Sequence, residues 1–301
     1  MPTIKVTVPM ACIGLGPGIE SLGLALALHN TVEMTSQPGL RPVISVSGEA
    51  SDAYPLTSSH PVMKAVTALS QEQHISSPAV SVVCASNIPA GVGDSAAWTV
   101  AGLVAINNLL PDVQPMNREM LIAKACKLTD RAAAITSMFG GLTLSSGSGD
   151  ALIYKRLSVP TMRVVLAVPE IVGYRQQLGK ASQKKIELRD TIHNIGRVPL
   201  VVEALCHNDM GLLSKVMQDH VLEPQRKMLI PGYDEARAAT TQAGAAAVVL
   251  CGDGPALAAF AANNHAKIEI ALHDAFRAAG VSVRTWILNT DSQGITINLR
   301  Q

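Results

Sequence analysis

Aromatic side chains are scarce: Phe, Trp and Tyr together make 3% of the 301 residues. So few rings cannot supply the stacking platforms that hold single-stranded nucleic acid. Charge is sparse too, at 16% of the chain, and 24 Lys and Arg against 23 Asp and Glu leave a formal +1. No basic block stands out, so the electrostatic footprint of a nucleic-acid binder is missing. The cysteines are Cys12, Cys84, Cys126, Cys206 and Cys251, an odd number without short spacing. That excludes a disulfide frame and a Cys-rich zinc site, and reads as reduced thiols. No stretch approaches the roughly 18 consecutive apolar residues of a membrane span. The opening Met-Pro-Thr-Ile-Lys-Val-Thr-Val alternates like a strand and lacks the basic-then-apolar plan of a leader. The expectation is a cytoplasmic protein with no membrane or nucleic-acid partner.

What is present is glycine, 23 of them, gathered into motifs beside apolar runs. Strand-like alternation covers residues 4–8, 43–46 and 80–84, and helical spacing covers 62–69, 96–110 and 118–127. A glycine-rich strand entry follows at 140–149. A second unit is expected from about residue 160, opening on the apolar strand 162–168. Helical patterns then run over 186–205, 233–243 and 266–278, with strands at 246–250, 281–286 and 294–298. Interleaved strands and helices of this kind read as α+β, so the expected domains are residues 1–160 and 161–301.

The segment Asn87-Ile-Pro-Ala-Gly-Val-Gly-Asp-Ser-Ala-Ala97 lies between a strand pattern and an apolar helix. Glycines at such a junction let backbone N–H groups and the helix N-terminus close on an anion. Here an acid, Asp94, stands where the helix should begin. It can cap the helix by accepting from its first N–H groups, which would put it where a phosphate would sit.

Read together, the motifs resemble those of homoserine kinases, in the superfamily of galactokinase, homoserine kinase, mevalonate kinase and phosphomevalonate kinase. The matching segments are Val8-Pro-Met-Ala-Cys-Ile-Gly-Leu-Gly-Pro-Gly-Ile-Glu-Ser-Leu-Gly-Leu-Ala-Leu26, the phosphate-loop-like 87–97, and Leu250-Cys-Gly-Asp-Gly-Pro255. Phe139-Gly-Gly-Leu-Thr-Leu, Asn194-Ile-Gly-Arg197, Glu223-Pro-Gln-Arg226 and Ile230-Pro-Gly232 add to them in the same order. The resemblance implies an α+β, two-domain fold of the GHMP-kinase kind. Its N-terminal domain would be ribosomal-S5-like and its C-terminal domain ferredoxin-like.

Set against that family, three positions depart. The family's Gly-Leu-Gly-Ser-Ser-Ala-Ala is here Gly91-Val-Gly-Asp-Ser-Ala-Ala97, and the third motif carries Asp253 between its glycines. Counting back from Gly140 puts Leu128 at the family's magnesium-binding Glu, and leucine cannot hold a hard cation. These changes suggest a degenerate ATP site and an enzyme that uses no cofactor. The substrate end is better kept. Arg197 and Arg226 match arginines that clamp a substrate carboxylate, for which a guanidinium fork is suited. Glu20 keeps the charge of the family's acid but adds a methylene, and Gly14 replaces an Asn, so the polar shell around a substrate amine or hydroxyl is altered. A small carboxylic or amino acid is therefore the expected ligand, and self-association into a homodimer stays open.

The candidate catalytic groups are Asp94, Asp253, His193, Cys12 and Cys251, each with two readings. His193 shares a helical face with Arg197 and is either a general acid or base or a surface residue, and His220 reads as a solvated helical position. Cys12 and Cys251 flank glycine motifs and are either thiolates poised at helix ends or small apolar filler. Asp94 and Asp253 are either an acid–base pair with separated pKa values or local caps and turns. The favoured expectation is proton transfer by an isomerase, racemase or lyase. The alternatives are an ATP-dependent homoserine kinase, with Asp130 aiding Mg²⁺, and a non-catalytic binding protein.

Overall fold

The computed structural model describes residues 2–76, 78–109, 115–180 and 185–300. In chain order the strands are β1 (Thr3–Ile13), β2 (Leu22–Ser36), β3 (Val43–Gly48), β4 (Val80–Ser86), β5 (Leu142–Ser146), β6 (Ile153–Leu157), β7 (Arg163–Pro169), β8 (Ala247–Leu250), β9 (Leu257–Phe260), β10 (Val283–Asn289) and β11 (Thr296–Arg300). The helices are α1 (Pro61–Glu72), α2 (Asp94–Leu109), α3 (Arg118–Leu128), α4 (Arg131–Phe139), α5 (Tyr174–Lys180), α6 (Leu188–His207), α7 (Met210–Val216), α8 (Glu223–Arg226), α9 (Tyr233–Gln242) and α10 (His265–Ala278). Residue 110, the end of the helix expected at 96–110, lies outside the described residues.

Two compact units result, and each is discontinuous in sequence. The first comprises Met1–Ala11, Leu24–Arg156 and Asp291–Gln301, the second Cys12–Gly23 and Leu157–Thr290. The single cut near residue 160 thus needs two amendments. The strand at its far end, β11, pairs antiparallel with β1 in the first unit, Val6 opposite Ile297. The glycine motif after β1 belongs to the second.

In the first unit a seven-stranded sheet runs β11-β1-β2-β4-β3, with β5 on β2 and β6 on β5. The β3 and β4 strands are parallel, which requires a crossover, and α1 supplies it. Helix α2 is apolar on every side and nearly every residue of it is buried, as expected of a central helix. Gly102 lets α1 approach closely: a Cβ there would lie 2.8 Å from the Val62 carbonyl.

The second unit is a four-stranded antiparallel sheet, β10-β7-β9-β8. Numbered in chain order these strands stand fourth, first, third, second, with α9 after the first and α10 between the third and fourth. This is the split βαβ, ferredoxin-like plan expected from the sequence. Val165, Tyr233, Leu257, Ile268, Leu272 and Phe276 fill the core between sheet and helices.

Candidate active site

In the first unit, β4 delivers the chain into the glycine loop and α2 receives it. Asn30 fixes the loop's entry, its Oδ1 accepting from the N–H groups of Asn87 (2.8 Å) and Ile88 (2.9 Å). Gly91 and Gly93 have φ of 86° and 81°, where a side chain is strained. A Cβ on Gly93 would also stand 2.9 Å from the Ala11 carbonyl. The Gly93 carbonyl accepts from Ala97 N–H at 3.1 Å, so Gly93 caps α2 and Asp94 is its first helical residue. The first-turn N–H groups of a helix have no carbonyl within it to bond. With the helix dipole, such free N–H groups make a helix N-terminus favourable for an anion in general.

Asp94 is 1% exposed. Its Oδ1 accepts from Gly91 N–H at 2.6 Å and its Oδ2 from the Tyr54 hydroxyl at 2.8 Å. The carboxylate thus turns back onto the loop through Gly91 and reaches Tyr54. Tyr54 begins a ring series in which its centroid lies 5.5 Å from His60, and His60 lies 5.9 Å from Trp98. Burial pulls the His60 imidazole down to about 4, so it is neutral near pH 7, and its Nδ1 accepts from Val62 N–H to cap α1.

Leu128 closes α3 and is 39% exposed. Asp130 caps α4 by accepting from Ala133 N–H at 2.8 Å, which engages the acid considered for Mg²⁺. Among the described residues no group of three or more His, Cys, Asp or Glu side chains could hold a metal ion.

The second unit brings most of the other candidates together. The loop after β1 turns on Gly14, whose N–H donates to the Leu22 carbonyl, and the loop after β8 meets it through Gly252 N–H to the Ile13 carbonyl at 2.7 Å. Glu20 stands exposed on the first loop with φ 52°. Arg226, at the end of α8, donates from one nitrogen to the Gly252 carbonyl (3.2 Å) and from another to Asp253 Oδ1 (2.5 Å). The Tyr174 hydroxyl holds the Asp253 carbonyl at 2.5 Å. Asp253 is therefore an ion-pair partner of Arg226 within its own unit, as Asp94 is a partner of Tyr54 and Gly91 in the other, which removes the basis for reading them as an acid–base pair.

The thiols are also corrected. Cys12 and Cys251 are buried and hydrogen-bonded to each other. That bond and burial push the Cys12 thiol well above its ordinary range, the opposite of a poised thiolate. Cys84 is core, driven to about 12 by burial, whereas Cys126 and Cys206 are half-buried at helix faces.

His193 and Arg197 both lie on α6, one turn apart. The His193 ring stacks on His220 with centroids 3.4 Å apart, and its Nε2 is buried without a hydrogen-bond partner. Burial, then the neighbouring His220 and Arg197 charges, lower its pKa. His220 is half-buried in the loop after α7, not on a solvated helix.

That loop holds the residues the sequence reading missed. Asp219 Oδ1 accepts from Asn194 Nδ2 and from Val221 and Leu222 N–H, while Oδ2 accepts from Leu222 and Glu223 N–H. Buried Glu223 in turn accepts from Tyr233 and Arg237, both at 2.8 Å, and burial raises its pKa against the pull of Arg237. A cavity of about 310 Å³ opens beside this network, lined by Asp190, Asp219, His220, Glu223, Lys227 and Arg237 among others. An acid followed by the start of a Pro-containing helix was the available signal for Asp219.

A glycine-cradled helix N-terminus in one α+β unit, and an arginine-bearing pair of glycine loops in a ferredoxin-like unit, define a small-molecule kinase scaffold. The family described as GHMP kinases N terminal domain matches residues 60–143, and that described as GHMP kinases C terminal matches 201–279. The chain is 30% identical over 285 residues to a homoserine kinase of Moorella thermoacetica, covering 93% of this chain and 94% of that one. It is 27% identical over 299 residues to a homoserine kinase of Desulfitobacterium hafniense, covering 98% and 99%. The crystal structure of a homoserine kinase from Cytophaga hutchinsonii superposes with a TM-score of 0.86 at 26% identity, covering 98% of this chain and 97% of that one. The chain belongs to the GHMP kinases, as a homoserine-kinase-like member, and it is an enzyme.

These relatives overturn the sequence reading of function. A degenerate ATP site serving an isomerase, racemase or lyase does not stand beside full-length likeness to kinases. The physical error was to treat an acid in a phosphate loop as an obstruction without knowing where its oxygens point. Among the described residues no helix is long and apolar enough to cross a membrane.

Proposed function

We propose that the chain is an ATP-dependent kinase that phosphorylates the hydroxyl of a small amino acid, with homoserine as the leading substrate. The observation that carries this reading is the end-to-end likeness to homoserine kinases, supported by a glycine loop that leads into the N-terminus of α2. ATP is a substrate here, its phosphates set against the first turn of α2. An accompanying Mg²⁺ demands hard ligands, and of the two residues at the start of α2 Ser95 would offer it a hydroxyl, since the Asp94 carboxylate is buried on Gly91 and Tyr54. Arg197 and Arg226 would hold the substrate carboxylate and Glu20 its ammonium group. The hydroxyl oxygen bonds to the γ-phosphorus, the bond to the β-phosphate oxygen breaks, and the hydroxyl proton is lost. His193, its pKa lowered, is neutral near pH 7 and able to accept that proton.

A coupled ADP-release assay with MgATP and a panel of hydroxy amino acids tests this. Homoserine-dependent ADP release, with an O-phosphoryl product seen by phosphorus NMR, is expected. A folded protein that releases no ADP with any member of the panel at millimolar MgATP would refute it.

A further inference from the structure

Asp253 occupies an unusual position for an ion-pair partner. Its side chain is 70% exposed, whereas that of Arg226 is 18% exposed. The backbone beneath it is pinned: Tyr174 holds the Asp253 carbonyl, Gly252 N–H is bonded to Ile13, and a Cβ on Gly254 would strike the Tyr174 hydroxyl at 2.6 Å. The carboxylate itself is not walled in. It rests on the guanidinium from the solvent side, while the other bonded nitrogen of Arg226 is committed to the Gly252 carbonyl.

A half-buried guanidinium fork reachable from solvent is a carboxylate receptor, and here a carboxylate of the chain already stands on it. We propose that Asp253 is a specificity-determining residue that competes with the substrate's carboxylate for Arg226, so that the enzyme relies on the ammonium and hydroxyl ends of its substrate more than on the acid end. The proposal rests on the reading of the chain as an amino-acid kinase. An exposed ion pair is weak, so a stronger bidentate ligand can displace it, but every such ligand must do so. Removing the charge should release the fork. A charge-assisted hydrogen bond recovered at a partly exposed site corresponds to about ten-fold in affinity.

The test compares wild type with Asp253→Asn, which keeps the backbone carbonyl bonded by Tyr174, and with Asp253→Asn/Arg226→Gln. Calorimetric titration without nucleotide uses L-homoserine and L-norvaline, and kinetics compare L-homoserine with its decarboxylated analogue 3-aminopropan-1-ol. Asp253→Asn should bind both amino acids about ten-fold more tightly and raise the kcat/KM ratio of homoserine over the amino alcohol by a similar factor. The double variant should lose the gain. Unchanged or weaker carboxylate binding in Asp253→Asn overturns the proposal, weaker binding marking Asp253 as a partner of the substrate ammonium. A wild type that phosphorylates nothing while Asp253→Asn still gains carboxylate affinity would remove the kinase reading and leave this one standing.

Discussion

Replacing Asp219 by Ala should be among the most damaging single changes outside the hydrophobic cores. The carboxylate is 7% exposed and terminates four donors: the N–H groups of Val221, Leu222 and Glu223, and the Asn194 amide. Alanine leaves all four without their acceptor. Each buried donor so orphaned costs about 1–3 kcal/mol, and partial relaxation of the loop toward water reduces the sum. A loss of about 3–5 kcal/mol is expected, a large fraction of a domain's net stability. Asp219→Asn keeps one acceptor oxygen and should lose about half as much. Urea titrations followed by circular dichroism give both values from the shift in midpoint at constant slope. Because the same bonds set the start of α8, and Arg226 ends that helix, the Asn variant should also raise the KM for an amino-acid substrate. A loss under about 1 kcal/mol in Asp219→Ala would refute the accounting, since it would mean the N–H groups find water without cost.

Acid sensitivity is expected from His60, whose folded pKa of about 4 lies below the unfolded 6.5. The unfolded chain binds a proton that the native state refuses, so stability is full above pH 6.5 and falls by about 3 kcal/mol toward pH 4. His60→Asn keeps a capping acceptor and should flatten that limb of the stability–pH curve; parallel curves for the two proteins would be evidence against it. Gly93→Ala should cost about 1–3 kcal/mol, from positive φ and the clash with the Ala11 carbonyl, and weaken nucleotide binding most; thermal melts with and without MgATP separate the two effects. Cys12 and Cys251 should resist an aromatic disulfide reagent in the native protein and react on unfolding in urea, and rapid native labelling of either would contradict their burial.

Much of the fold was legible because its signals are local. Apolar periodicity located α2, α6 and α10, and glycines at helix and strand ends marked the loops that carry the site. The strand at the chain's end was found but assigned to the wrong unit, since alternation says that a strand exists and nothing about its partner. The long β2 and the short α7 and α8 went unread. The first is nearly all apolar where it is buried, and the others are too short to establish a helical period. His220 looked helical by its neighbours, yet it lies in a loop whose conformation is fixed by Asp219 and Asn194. Such a network joins α6 to a segment more than twenty residues away, and no window of sequence contains it.

The misreading of function has a sharper cause. Asp94 and Asp253 were read as a local cap and turn or as an acid–base pair, and the case against ATP rested in part on their charge, since an acid beside a phosphate is unfavourable. The energy of a carboxylate depends on what its oxygens meet. Asp94 meets Gly91 N–H and the Tyr54 hydroxyl, so much of its negative charge is engaged by donors of its own unit. Asp253 meets the Arg226 guanidinium, in a different unit of the chain. The two acids, each in a glycine motif, thus belong to two separate units and meet different partners. The distinction lies in Tyr54 and Arg226, residues distant in sequence from the motifs whose chemistry they decide.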